Sequence, residues 1–262
     1  MTDGTTAGGT TADRRWTRRH PGLPGAPRLV CFPHAGGGAS AYRGWADRLA
    51  PEAEVLLVRY PGREDRFEDP LISDMATLAD RVTAALPLSA DRPLTLFGHS
   101  MGAAVAFEVA RRIEAACPGG LARLCVSGRP APHAAPESQV HLLPDEDLVE
   151  DLRALAGTSD AILDDEEFRA LFLPVVRSDY RLIETYRPVP GARITAPVSA
   201  FCGTHDPHVR PEEMPRWREV TSGGFTLRTF SGGHFYLQDH LDGIVAEVAG
   251  LLGPAEAASL AG

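Results

Sequence analysis

A serine that could act as a nucleophile lies in the segment LTLFGHSMGAA, residues 94–104. Ser100 stands in a G-x-S-x-G pattern, with an apolar strand-like run before it and an Ala- and Val-rich run after it. This context is typical of a nucleophile elbow, a sharp and strained turn that exposes the serine hydroxyl at a helix N-terminus. Gly98 and Gly102 have no Cβ, so strand and helix can approach closely. The pattern predicts acyl transfer through Ser100, with the Met101 N–H as one donor to the oxyanion.

A second donor to the oxyanion is expected in the Gly-rich segment PHAGGGA, residues 33–39, which directly follows an apolar run. In enzymes with a nucleophile elbow, the loop after an early strand supplies this donor. The Ala35 N–H is the predicted group, with the Gly36 N–H as the near alternative. A plain flexible loop is the other interpretation. A phosphate-binding loop is disfavoured, because the chain has no Lys and no GxxxxGK[ST] pattern.

The general base is predicted to be His234, in the segment SGGHFY at 231–236. Elbow enzymes place their residues in the chain order serine, acid, histidine, and the base lies in a loop after a late strand. His234 follows the apolar run 225–230 and is preceded by two glycines. The competing histidines are His99, His133, His141, His205, His208 and His240.

Asp206, in the segment GTHDP at 203–207, is the predicted acid that orients the base. It follows the apolar run 197–202, and Pro207 stops regular structure after it. A carboxylate that caps its own backbone in an Asx-turn is the alternative interpretation. The end of the run 122–127 is another place for such an acid, but the residues there are Ser-Gly-Arg.

Short apolar runs alternate with helical periodicity along most of the chain, which predicts an α/β protein. Runs that are apolar throughout and bounded by Gly or Pro suit strands buried on both faces of a parallel sheet. We therefore expect an α/β-hydrolase fold with a mostly parallel central sheet and flanking helices, built from residues 27–129 and 191–252. The predicted strands are 28–32, 54–60, 93–97, 122–127, 197–202 and 225–230, and the predicted helices are 72–86, 101–116, 211–220 and 241–252.

Three segments lie outside this core. Residues 130–190 hold helical patterns at 144–156 and 164–186 without a convincing strand, so we predict a helical lid insertion over the strand ends. An ordinary structural subdomain is the alternative. Residues 1–26 read as a disordered leader and residues 253–262 as a flexible tail, because neither shows an apolar period.

The composition disfavours several function classes. The formal net charge of −9 is not that of a nucleic-acid binder, which usually presents a basic patch. No run approaches the roughly 18 apolar residues that span a bilayer. All 26 basic residues are Arg, which excludes a Lys base. The four cysteines show no disulfide or metal-ligand spacing, so we expect reduced thiols, a cytoplasmic location and no metal.

Five motifs taken together resemble the stand-alone, type II thioesterases that accompany modular polyketide and nonribosomal peptide synthases, many of which make antibiotics. The similarity runs from about Arg28 to about Leu252. The motifs are CFPHAGG at 31–37, VRYPGREDR at 58–66, FGHSMGA at 97–103, CGTHDPHV at 202–209 and GGHFYL at 232–237.

The resemblance implies a serine thioesterase that removes acyl groups, often aberrant ones, from the phosphopantetheine arm of an acyl or peptidyl carrier protein. The family's catalytic serine, acid and histidine fall on Ser100, Asp206 and His234, and its oxyanion amides fall on Ala35 and Met101. No cofactor of the enzyme's own is implied, because the pantetheine arm belongs to the partner. A monomer is expected.

Other functions stay open at this point. A small-molecule carboxylesterase or lipase could use the same three residues. A protein that only docks to a synthase would not need them. An acyltransferase or cyclase would pass the acyl group to an alcohol or amine, although the integrated thioesterase domains commonly carry their acid after the earlier strand, where this chain has Ser127-Gly128-Arg129.

The resemblance also raises the question of how the substrate docks. Carrier proteins are typically acidic and this chain is net negative, so docking would need a local Arg patch. The candidate patches are Arg59, Arg63 and Arg66, or Arg111 and Arg112.

The acyl chain of the substrate would lie under Leu171, Phe172 and Val176, although packing between helices explains these residues equally well.

Overall fold

The computed structural model describes residues 15–252, and its central element is a seven-stranded sheet. The strands are β1 Thr17–His20, β2 Arg28–Phe32, β3 Glu54–Val58, β4 Leu94–His99, β5 Leu121–Ser127, β6 Val198–Gly203 and β7 Phe225–Phe230. Their order across the sheet is β1-β3-β2-β4-β5-β6-β7. Only the β1–β3 pair is antiparallel. The mostly parallel sheet with flanking helices confirms the predicted fold class.

Helices cover both faces of this sheet. They are α1 Arg43–Leu49, α2 Met75–Ala84, α3 Met101–Ala116, α4 Asp145–Leu155, α5 Asp160–Leu163, α6 Glu166–Thr185, α7 Tyr236–Asp239 and α8 Leu241–Ala249. Helices α2 and α3 pack on one face, and α1 and α8 pack on the other. Successive side chains of β2 alternate between the two cores: Val30 and Phe32 enter the first, and Leu29 and Cys31 enter the second. Burial on both faces explains why β2 to β6 read as continuous apolar runs. The prediction of burial on both faces is wrong for β7, which lies at the edge of the sheet and whose residues are all half-buried or exposed.

The segment 130–190 connects β5 to β6 and contains helices but no strand. Besides α4, α5 and α6 it holds two short 3-10 helices, Pro132–Ala134 and Val140–Leu142. These helices have a small core of their own, to which Leu148, Leu163 and Val176 contribute. The insertion lies outside the sheet, and the C-terminal half of α6 also joins the core on one sheet face through Leu182 and Ile183.

The prediction of a disordered leader over residues 1–26 is wrong for residues 17–20. This segment forms β1, in which Thr17 pairs with Val58 and His20 with Val55. β1 lies at the edge of the sheet, where backbone hydrogen bonds to β3 hold it in place and its side chains can be polar. The sequence TRRH therefore shows no apolar period. The rest of the leader up to residue 14, and the predicted tail 253–262, lie outside the described residues.

The segment 211–220, predicted as a helix, forms the 3-10 helix Pro211–Val220. Pro215 within it has no N–H to donate, which disfavours an α-helical ladder there. Within residues 15–252, no helix combines the length and the apolar character needed to cross a membrane.

Candidate active site

The turn between β4 and α3 has the geometry of a nucleophile elbow. Ser100 adopts φ 53° and ψ −121°, a strained conformation for a residue with a side chain. A Cβ at Gly98 would lie 2.1 Å from the carbonyl oxygen of Gly102, and a Cβ at Gly102 would lie 2.1 Å from the carbonyl oxygen of Phe32. Only glycine fits both positions. The Ser100 N–H donates to the Ser127 carbonyl at 2.8 Å, which ties the elbow to the neighbouring strand.

Asp206 and His234, which are 28 residues apart, meet at the carboxyl ends of β6 and β7. His234 Nδ1 donates to Asp206 Oδ2 at 2.7 Å, and the two residues are 4% and 6% exposed. The other carboxylate oxygen, Oδ1, accepts the N–H of His208 at 2.9 Å. Asp206 therefore forms the Asx-turn that was the alternative interpretation, and it also holds the ring of His234 through its second oxygen.

Ser100 and His234 line the same cavity. Within the described residues no hydrogen bond joins the Ser100 hydroxyl directly to the His234 ring, whereas the bond from His234 to Asp206 is formed. In enzymes without substrate, the contact between nucleophile and base is often long and tightens in the complex. The structure thus brings the three candidate residues to one site, with the acid–base pair already assembled.

His99, the neighbour of the serine, is a buried residue whose environment favours the neutral form. Its Nδ1 is hydrogen-bonded to Ser127 Oγ at 2.9 Å, and its ring centroid lies 4.8 Å from that of His234. Burial lowers the pKa of His99 well below its ordinary value, and the neighbouring His234 and His34 lower it further. Among the other competing histidines, His133, His141 and His240 are hydrogen-bonded to Glu219, Glu184 and Ser231.

The end of β5, the other position for an orienting acid, is occupied by Ser127 and Gly128, which carry no charge. Ser127 Oγ is hydrogen-bonded to His99 and, at 2.7 Å, to the hydroxyl of Tyr236. Gly128 follows, and a Cβ there would lie 3.4 Å from Cε1 of His234. This position does face the candidate base, but Asp206 holds the ring from the adjacent strand.

The two predicted oxyanion amides border the cavity that Ser100 lines. Neither the Ala35 N–H nor the Met101 N–H has an acceptor within the described residues. The Gly36 N–H, the alternative donor, is instead engaged by the Asp179 carboxylate, with its nitrogen 2.8 Å from Oδ2. The Gly37 N–H donates to the carbonyl of His34. Of the two candidate donors in this loop, Ala35 and Gly36, Ala35 is thus the one whose N–H is left to face a substrate.

The cavity beside Ser100 has a volume of about 980 Å³ and lies between the sheet and the helical insertion. The insertion supplies one apolar wall, formed by Leu152, Leu155, Ile162, Phe168 and Phe172. The prediction that Leu171 covers an acyl chain is wrong, because this residue lies on the outer face of α6 and is 56% exposed. Phe172 does line the cavity, and Val176 is buried in the core of the insertion.

A buried ion pair next to the cavity was missed by the sequence analysis. Arg63 donates from Nη1 and Nη2 to the two oxygens of Asp179, at 2.5 and 2.9 Å. Although burial disfavours its charge, Asp179 raises the pKa of the Arg63 guanidinium above its ordinary value. The sequence does contain a signal: Asp179 is an acidic residue on the apolar face of a helix, three residues after Val176 and seven after Phe172.

The two Arg patches considered for docking are both engaged in ion pairs. Arg63 pairs with Asp179, Arg66 with Asp69, and Arg59 with Asp65. Arg111 and Arg112 both pair with Glu108 on their own helix. Their charges are thus largely balanced within the protein. Within the described residues, no cluster of three His, Cys, Asp or Glu side chains is placed to hold a metal ion.

Comparison with known proteins places this site in a family context. Residues 27–251 match the family model described as "Thioesterase domain". The chain is 46% identical over 256 residues to the "Probable cadicidin biosynthesis thioesterase" of Streptomyces griseus, covering 96% of this chain and 71% of that protein. It is 45% identical over 236 residues to "Thioesterase PikA5" of Streptomyces venezuelae, covering 89% of this chain and 84% of that protein.

Solved structures that are similar to this chain are also thioesterases. The "type II thioesterase BorB from the borrelidin biosynthetic cluster" is 46% identical, with a TM-score of 0.82 over 91% of this chain and 98% of that chain. The RedJ thioesterase "from the Prodiginine biosynthetic pathway in Streptomyces coelicolor" is 39% identical, with a TM-score of 0.82 over 88% of each chain. The surfactin thioesterase domain, at 22% identity and a TM-score of 0.63 over 92% of this chain and 98% of that chain, shares the fold.

Proposed function

Because this chain belongs to the thioesterase family, we propose that it hydrolyses acyl thioesters on the phosphopantetheine arm of a carrier protein in polyketide or nonribosomal peptide synthesis. Its role there would be editing, the removal of aberrant acyl groups that block the synthase. The similarity to stand-alone thioesterases such as PikA5 and BorB supports this proposal. The observation that carries the chemistry is the 2.7 Å hydrogen bond between His234 and Asp206, beside the cavity that Ser100 lines.

In the first half-reaction, Ser100 Oγ attacks the thioester carbonyl while His234 Nε2 takes the hydroxyl proton. The new C–O bond gives a tetrahedral intermediate whose oxyanion accepts hydrogen bonds from the Ala35 and Met101 amides. As the intermediate collapses, the C–S bond breaks and His234 returns the proton to the departing sulfur. Free pantetheine thiol and an acyl ester on Ser100 are the products.

In the second half-reaction, water takes the place of the thiol. His234 removes a proton from the water as its oxygen attacks the ester carbonyl, and the same two amides hold the oxyanion. Collapse returns the proton to Ser100 Oγ and releases the carboxylic acid. Asp206 stays ionised throughout and stabilises the His234 cation that forms in each half-reaction.

The pantetheine arm is part of the substrate in this account, and the enzyme brings no cofactor of its own. One copy of the chain suffices, because Ser100, Asp206, His234 and both oxyanion amides come from the same chain. A cytoplasmic location fits the four cysteines, all of which are free.

Kinetics on matched acyl donors test the proposal. The same butyryl group is presented on a carrier protein, on N-acetylcysteamine and as a p-nitrophenyl ester, with the Ser100→Ala protein as blank. We expect kcat/KM to be highest for the carrier-bound thioester. An equal or higher value for the aryl ester would favour the carboxylesterase or lipase alternative.

The remaining alternatives have their own readouts in this experiment. If an added alcohol or amine captured most of the butyryl group in competition with water, the protein would be an acyltransferase or cyclase. If no donor were turned over and a fluorophosphonate failed to label Ser100, the chain would be a docking protein without activity.

A further inference from the structure

One face of helix α6 contacts the Gly-rich loop 33–39 that carries the predicted oxyanion donor. Phe172, Val176 and Asp179 are spaced i, i+4 and i+7, so they lie on one side of this helix. A Cβ at Gly36 would lie 2.9 Å from both Phe172 and Val176. Gly36 has φ +74°, and its N–H donates to Asp179 Oδ2. The insertion thus touches the loop directly, at the residue that follows Ala35.

Arg63 completes this contact from the sheet side. Its guanidinium makes a bidentate ion pair with Asp179, and Nη1 also lies 3.3 Å from the carbonyl oxygen of Gly37. The side chains of Arg63 and Asp179 are 9% and 4% exposed. A bidentate arginine–carboxylate pair has a well-defined geometry, and a buried one resists rearrangement because breaking it leaves a charge without a partner. The carboxylate that receives the Gly36 N–H is therefore held in place.

We propose that Asp179 and Arg63 are positioning residues for the oxyanion hole, acting through the backbone of Gly36. The Ala35–Gly36 peptide is planar, so a fixed Gly36 N–H directs the Ala35 carbonyl the opposite way. The Ala35 N–H belongs to the preceding His34–Ala35 peptide, and only the two rotatable backbone bonds of Ala35 separate it from this fixed plane. Anchoring Gly36 therefore restricts the directions that the Ala35 N–H can take at the cavity that Ala35 borders. Helix α6 is in this account part of the catalytic apparatus as well as a cover over the cavity. The inference rests on the proposed acyl transfer at Ser100.

Two double variants separate this role from a purely structural one. Arg63→Met with Asp179→Asn removes the ion pair but keeps an oxygen that can accept the Gly36 N–H. Arg63→Met with Asp179→Leu removes the ion pair and the acceptor. Both lack the same charges, so their comparison isolates the hydrogen bond to Gly36. The substrates are butyryl-N-acetylcysteamine and p-nitrophenyl butyrate, which need the oxyanion hole but no carrier protein, so a failure of the carrier-protein proposal leaves this test intact.

We expect kcat of the Leu variant to be about 10- to 100-fold below that of the Asn variant, since loss of a whole oxyanion donor costs about 10²- to 10³-fold. KM should differ little between the two. Affinity for a butyryl trifluoromethyl ketone, which forms an oxyanion on Ser100, should fall by the same factor as kcat. Affinity for the corresponding amide, which forms none, should stay the same.

Equal kcat and equal trifluoromethyl ketone affinity in the two double variants would overturn the inference and leave the ion pair a stabilising role only. Arg177→Gln is the control for disturbance of α6, because Arg177 lies on this helix and donates to Asp145 and to the carbonyl of Leu143, away from the cavity lining. Its kcat should match that of wild type. If the Leu variant does not fold, the double variant Arg63→Met with Asp179→Ser replaces it, because the shorter serine side chain cannot reach the Gly36 N–H.

Discussion

His234 Nδ1 and Asp206 Oδ2 lie 2.7 Å apart at the ends of two adjacent parallel strands, and both side chains are almost completely buried. The carboxylate can only accept, so the proton of this bond resides on Nδ1. Whenever the ring is neutral, Nε2 is then the nitrogen without a proton, as a base that serves Ser100 requires. The fold thus selects the tautomer of the imidazole before any substrate binds.

Replacing Asp206 with Asn tests this tautomer selection. The amide can donate to Nδ1, which favours the tautomer with its proton on Nε2, so kcat should fall by about 10³- to 10⁴-fold. Hydrolysis of a butyryl thioester measures it. Asp147→Asn, a change at an exposed residue in the first turn of α4, is the control and should leave kcat unchanged. A loss of less than about tenfold at Asp206 would show that this residue does not orient the base.

Two Gly→Ala changes, one at the elbow and one in helix α8, should have opposite effects on the free energy of unfolding. At Gly102 the new methyl group would lie 2.1 Å from the Phe32 carbonyl oxygen, so the free energy of unfolding should fall by about 3 kcal/mol. At Gly243, in helix α8, the nearest atom is 3.8 Å away. Alanine there should raise the free energy of unfolding by about 0.5–1 kcal/mol through its higher helix propensity. Urea denaturation measures both, and equal values for the two variants would contradict the assigned packing of strand and helix.

Burial of His99 predicts how stability depends on pH. The pKa of this ring is lowered well below 6.5 in the folded protein, chiefly by burial. The unfolded chain therefore binds a proton that the folded chain does not, and the free energy of unfolding falls as pH drops below about 6.5. The contribution of one such residue is at most about 1.4 kcal/mol per pH unit.

The His99→Gln variant isolates this contribution from that of the carboxylates. Urea denaturation of both proteins at several values between pH 7 and pH 4.5 should show a shallower pH dependence in the variant. A pH dependence as steep as that of wild type would mean that folding does not lower the pKa of His99.

The apolar wall of the cavity predicts a change in acyl-chain preference. Leu155 lines the cavity, so Leu155→Phe shortens the space for a chain attached to Ser100. Kcat/KM for a decanoyl thioester should fall about tenfold or more relative to that for an acetyl thioester, because a misfitting methylene costs about 1–3 kcal/mol. Leu171→Phe, on the exposed face of α6, is the matched control and should leave this ratio unchanged. An unchanged ratio in the Leu155 variant would place the acyl chain elsewhere.

Local signals account for the part of the site that the sequence predicts. Ser100 and its two glycines lie within five consecutive residues, and steric necessity at the elbow fixes their identity. Asp206 and His234 each follow a strand of the same parallel pair, β6 and β7, and parallel strands bring their carboxyl ends to one edge. The position of these three residues could therefore be read from motif and topology together.

The Arg63–Asp179 pair could not be predicted in the same way. Its members are 116 residues apart in the chain, and Asp179 belongs to an insertion whose packing against the sheet has no local signature. Arg63 was considered instead for a docking surface, because a sequence does not distinguish an exposed Arg from a buried one. Strand β1 was missed for a related reason, since its backbone ladder with β3 leaves no apolar pattern in TRRH.

The measurement that tests the central claim most directly is turnover of a butyryl-loaded carrier protein by the Ser100→Ala variant, with release of butyrate followed by mass spectrometry. A circular dichroism melt establishes that the variant is folded. The account predicts a rate on the order of 10⁴- to 10⁶-fold below that of wild type, near that of the uncatalysed reaction. Release of butyrate by folded Ser100→Ala protein within about tenfold of the wild-type rate would contradict an acyl-enzyme on this serine.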